Sequence, residues 1–118
     1  MDVKECYKKM DGDYEKAVRL MGNEERIIKY LKIFQRDTNF DSLCNAIEQN
    51  DFKTAFNAAH TLKGVALNLS LTSLAASTKE LTEILRIGKP NEDIIPLLQN
   101  TKKSYELVLE GINTLLDI

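Results

Sequence analysis

Residues 52–85 read FKTAFNAAHTLKGVALNLSLTSLAASTKELTEIL. Apolar side chains recur here at spacings of three and four, the helix period, and nowhere alternate over a strand's length. On a helical wheel Phe52, Ala55, Ala58, Ala59, Leu62, Val65, Ala66 and Leu69 gather on one side. A helix from Phe52 to about Leu69 therefore buries that side in a core. Ser70 breaks or caps it. A second helix then carries Leu71, Leu74, Ala75, Leu81 and Leu85 up to Gly88, read as the glycine just past the helix end. So short a joint makes the two helices antiparallel neighbours.

The same pattern extends both ways. Upstream, Asn50-Asp51 ends one helix and caps the next, and a helix from Asn39 or Asp41 holds Phe40, Leu43 and Ile47. Downstream, Lys89-Pro90-Asn91 is a turn. The last helix carries Ile94, Leu98, Thr101, Tyr105, Val108, Ile112 and Leu115. Pro96 must lie in its first turns, because deeper it would remove a hydrogen bond and clash. Four long helices starting near 39, 51, 71 and 92 predict an all-α protein, an antiparallel up-down four-helix bundle over residues 39–118. Residues 1–38 read as a helical extension packed on it. A short helix runs from Asp13 to Met21, and another, capped by Asn23, carries Ile27, Tyr30, Leu31 and Phe34. The whole chain of 118 residues is one domain's worth.

Composition narrows the function. Sixteen basic and eighteen acidic residues, net −2, argue against nucleic-acid binding and against a polybasic membrane anchor. No apolar run approaches the ~20 residues that span a bilayer. The start, MDVKECYKKM, lacks the apolar stretch of a signal peptide. Cys6 and Cys44 lie far apart and read as reduced thiols of a cytoplasmic protein. The initiating methionine points to a free-standing chain. A single histidine excludes zinc sites built on two or three histidines, and no glycine-rich loop or Walker lysine is present to hold ATP.

That histidine, His60, falls well off the core side of its helix, on a stripe with Lys53, Phe56, Asn57, Lys63, Gly64 and Leu67. Three neighbours single it out. Gly64 follows one turn later, where a mid-helix glycine costs about 1 kcal/mol against alanine and faces away from the core, so it reads as space cleared beside the imidazole. Lys63 is within reach of an anion held at His60. Phe56 and Leu67 supply apolar contact area where a solvated face would be charged, which suggests docking.

The stretch from Ala59 to Leu85 resembles the histidine-containing phosphotransfer (HPt) domain of bacterial phosphorelays. Ala59, His60, Leu62, Lys63 and Gly64 match the core of the family pattern, A-H-x-L-K-G, and Leu69, Leu71, Leu74 and Leu81 match its apolar frame. Ser70 stands where glycine is usual. Thr82 stands where Glu or Gln often holds the imidazole, and it takes the possible orienting role with a shorter side chain.

The resemblance implies that His60 accepts a phosphoryl group from a receiver-domain aspartate and passes it to another receiver. Lys63 would neutralise phosphate charge and Gly64 would leave steric clearance. Lys53, Phe56, Asn57 and Leu67 would dock the partner. The partners implied are response-regulator receiver domains or a hybrid histidine kinase. The chain itself would be a monomeric phosphocarrier without cofactor, and the Mg²⁺ would belong to the receiver. Histidine titrates near about 6.5, so the neutral, nucleophilic form is available to such a carrier at neutral pH.

Three other readings compete. A binding module of the same fold, without phosphotransfer, would have no need of the His60, Lys63 and Gly64 set. A purely structural bundle would leave His60 without a role. An enzyme using Cys44 as nucleophile would want a histidine beside it, and Cys44, next to Leu43 on an amphipathic helix, reads as a small core residue.

Overall fold

The computed structural model of the chain describes residues 1–116. Asp117 and Ile118, the end of the predicted bundle segment, lie outside the described residues. Seven helices follow one another among the described residues: α1 (Val3–Lys9), α2 (Tyr14–Met21), α3 (Glu24–Gln35), α4 (Asn39–Glu48), α5 (Phe52–Asn68), α6 (Thr72–Leu85) and α7 (Ile94–Leu116). Side chains fix four of the starts. The carboxylates of Asp2, Asp13 and Asp51 and the amide oxygen of Asn23 accept from the backbone N–H three residues on, at 2.8–3.2 Å. Each satisfies a donor that the first turn of a helix leaves free. Pro96 is the third residue of α7, where its missing N–H removes no helical bond.

Helices α4 to α7 form the antiparallel four-helix bundle. α5 packs against α4 and α6, and α6 against α7. Tyr105 of α7 stacks on Phe40 of α4 with ring centroids 4.3 Å apart, which joins the first bundle helix to the last. Leu43, Leu62, Leu71, Leu74, Leu81 and Ile112 are fully enclosed. Burying each contributes about 1.5–3 kcal/mol. Phe52 and Val65, assigned to the core by the wheel, sit at the edges of the buried stripe and stay half-exposed.

The predicted N-terminal extension contains one helix more than the sequence reading gave. Val3, Cys6, Tyr7 and Met10 are spaced for a helix, and all four are buried. The seven-residue α1 escaped notice because it is short and rich in lysine, and a helix of that length is not stable by itself. Its stability comes from packing on α7. Gly111 makes the close approach possible: a Cβ there would fall 2.5 Å from Cγ of Met10 and 3.4 Å from the carbonyl oxygen of Cys6. Burial pushes the Cys6 thiol up to about 11, and burial also raises that of the half-buried Cys44, so neither is an activated nucleophile.

The joint between α1 and α2 is fastened to the turn between α5 and α6. The Tyr7 hydroxyl donates to the Leu69 carbonyl at 2.7 Å, the Asp13 N–H to the Ser70 carbonyl at 2.9 Å, and the Ser73 N–H to the Asp11 carbonyl at 3.3 Å. Gly12 lies so close to this turn that a Cβ would come within 2.9 Å of the Ser70 carbonyl oxygen. Ser70 itself breaks α5 but does not cap α6. It takes a left-handed φ of 55°, and its buried hydroxyl has no hydrogen-bond partner. At the next break, α6 proper ends at Leu85. One further turn leads to Gly88, two residues past the Arg86 cap and so one beyond the position predicted for it, with a φ of 74°.

Both features of Ser70 are unfavourable, and glycine removes both. Ser70→Gly is expected to stabilise the chain by about 1 kcal/mol, after subtracting glycine's greater freedom in the unfolded state. Ser70→Ala removes the unpaired hydroxyl and keeps the backbone strain, so it should gain less. Urea midpoints of the two variants check the order.

Candidate functional site

α5 begins at the Asp51 cap, runs with its alanine-rich side against the core, and presents the opposite side outward. His60 lies in mid-helix and is exposed, as the wheel predicts. Lys63, three residues on, is half-buried. Nothing lies within 4 Å of where a Gly64 Cβ would be, so no packing contact requires the glycine. Lys53 and Asn57 are exposed, Phe56 is half-buried, and Leu67 keeps 51% of its surface in solvent. The structure thus brings six of the predicted site residues onto one face around His60.

Thr82 is the exception. It is fully buried on α6, and its hydroxyl donates to the Thr78 carbonyl at 2.6 Å. Thr78 and Thr101 do the same with the carbonyls of Leu74 and Leu97. A threonine hydroxyl facing a helical core satisfies itself on the preceding turn. The expectation that Thr82 orients the imidazole is corrected accordingly. Among the described residues no hydrogen bond reaches the His60 imidazole.

What lies against His60 is the Phe56 ring, one turn earlier. The two rings are 11° from parallel with centroids 5.8 Å apart. The Arg86 guanidinium lies over Phe56, 4.9 Å from its centroid, and is bonded to Glu83 at 3.3 Å. Arg86 went unread in the sequence. A signal was available, because Lys79, Glu83 and Arg86 are spaced four and three apart and share the face of α6 that flanks α5. The Arg86 bond holds the Glu83 carboxyl below its usual range, with Lys63 and Lys79 adding to the effect. Arg86, Lys63 and Lys79 therefore act together on one carboxylate.

On the Lys63 side a groove of about 440 Å³ opens between α5, α6 and α2. Leu67, Ala66, Ala75 and Ala76 line it, with Lys63, Lys79 and Lys16 among its polar residues. Lys16 belongs to α2 and could not be placed here without the tertiary structure. No three metal-ligating side chains cluster among the described residues, and no helix is long and apolar enough to cross a membrane.

An all-helical bundle that holds one solvent-facing histidine in mid-helix, with lysines and apolar contact area on the same face, is the architecture of a phosphotransfer domain. A family model described as "Hpt domain" matches residues 31–115, from within α3 almost to the end of α7. The chain belongs to the histidine-containing phosphotransfer family, whose domains are phosphocarrier modules of two-component signalling that work with receiver or kinase partners. No curated protein and no solved structure matches it.

Proposed function

We propose that this chain is a phosphorelay intermediate that accepts a phosphoryl group on His60 from a receiver-domain aspartate and hands it to a second receiver. The observation that carries the reading is an exposed His60 with Lys63 beside it and empty space at Gly64. In the transfer, the lone pair of the neutral imidazole attacks phosphorus. The phosphorus–nitrogen bond forms as the bond to the aspartyl oxygen breaks, and the carboxylate leaves with that electron pair. Phosphoryl transfer depends on positioning and on stabilising charge over the equatorial oxygens. Lys63 supplies a cation from this side, and the receiver supplies its aspartate and Mg²⁺. Lys53, Asn57 and Leu67 meet the receiver around the histidine, together with the Phe56 edge.

The reading is tested with a receiver carrying labelled phosphate. Label that moves to this chain and is lost in acid but kept in alkali is phosphohistidine. A binding module without phosphotransfer would take up none.

Gly64 separates transfer from folding. Gly64→Ala is expected to stabilise the chain by up to about 1 kcal/mol, since alanine is the better helix former and its Cβ meets nothing. Gly64→Gln should also fold, but its side chain fills the space beside the imidazole and slows transfer. Lys63→Ala should slow transfer or change phosphohistidine lifetime with little change in melting. Melting curves and transfer time courses on the three variants check this. A Gly64→Gln protein that lost stability yet transferred at full rate would contradict it.

A further inference from the structure

An imidazole on an exposed helix face turns freely about its terminal torsion unless something holds its plane. At His60 the hydrogen-bonding candidate, Thr82, is committed to its own helix. Among the described residues the ring stacked on the imidazole is Phe56, at 5.8 Å and 11°. Residues four apart on a helix are surface neighbours, so this contact is built into α5. Phe56 is in turn covered by the Arg86 guanidinium at 4.9 Å, and Arg86 is tied to Glu83. The array runs from α6 across to α5 and ends on the imidazole.

We propose that Phe56 is the positioning residue of His60, with Arg86 holding Phe56, and that this stack replaces a hydrogen bond in fixing the imidazole plane. The proposal rests on the reading of His60 as phosphoryl acceptor. Aromatic pairs favour offset-parallel or edge-on geometry over random orientation, and a guanidinium over a ring face adds a cation–π attraction. A leucine at 56 would keep apolar contact but impose no plane. With the plane fixed, the imidazole edge meets each donor at one angle.

The test compares the full chain with Phe56→Leu, Phe56→Tyr and Arg86→Gln by two measurements. The first needs no phosphate: ¹³C relaxation of the His60 ring carbons and the ring-current shift of their protons. The order parameter should fall and the shift vanish in Phe56→Leu, both should survive in Phe56→Tyr, and Arg86→Gln should fall between. The second uses phosphoramidate, a small donor that offers no docking surface. Its phosphoryl group moves to the imidazole as ammonia leaves, and ³¹P spectra follow the product. Phe56→Leu should react roughly three- to tenfold more slowly than the wild type and Phe56→Tyr. A Phe56→Leu ring as ordered as the wild type's, or a disordered Phe56→Leu ring that reacts with phosphoramidate at the wild-type rate, overturns the proposal. So does a Phe56→Leu defect seen with a receiver donor but absent with phosphoramidate, which would make Phe56 a docking contact alone. A wild type that takes no label at His60, while Phe56→Leu still frees the ring, upholds the positioning and removes the phosphocarrier reading instead.

Discussion

His60→Gln is expected to accept no phosphoryl group while folding and melting almost as the wild type does. Glutamine keeps a polar, hydrogen-bonding side chain but has no nucleophilic nitrogen, because its amide lone pair is delocalised into the carbonyl. No other histidine exists to take over. The His60 side chain is exposed and makes no hydrogen bond among the described residues, so its removal leaves neither a cavity nor an unpaired buried group. Substitutions of that kind usually fall within about 0.5 kcal/mol. Labelled transfer from a phosphorylated receiver measures the first half and a thermal melt the second. Label on the His60→Gln protein would place the acceptor elsewhere. A large fall in melting temperature would mean that the imidazole is structural.

Tyr7→Ala should have the largest effect on stability, about 3–5 kcal/mol, as expected for removing a fully buried aromatic ring. Tyr7 has no exposed surface, packs edge-on to Tyr14 at 6.2 Å, and donates to the Leu69 carbonyl. Tyr7→Phe separates the parts. It keeps the ring but leaves a buried carbonyl without its partner, which costs about 1–2 kcal/mol. Urea unfolding of both variants measures the difference. The effect reaches the site's own helix, because Leu69 follows directly on α5, which carries His60. A Tyr7→Ala protein as stable as wild type would mean that α1 contributes nothing to the bundle.

The bundle and the exposed histidine were both legible in the sequence because both are local. The apolar stripe of residues 52–69 repeats with the helix period, so it determines which side of α5 is buried and that His60 lies opposite. Caps at Asn23 and Asp51 bond to backbone only three residues away, and Pro96 has few places in a helix that it can occupy. Gly64 stood out for the same reason, as a helix-weakening residue on a face with no core to fill.

Other features depended on contacts between residues distant in the chain. α1 is a helix because Gly111, at the far end of the chain, lets it settle on α7. Lys16 reaches the groove beside Lys63 and Leu67 because Tyr7, Gly12 and Asp13 fasten its helix to the turn at Leu69 and Ser70. Thr82 matches a family position yet is lost to the site, since its side chain faces the core and bonds to the preceding turn. Arg86 lies over Phe56 only through the packing of α6 on α5. Helical periodicity assigns each residue a face of its own helix. Which faces meet, and which cations gather on the face that carries the histidine and its neighbours, was decided by packing across helices, and that information lies in no single stretch of the chain.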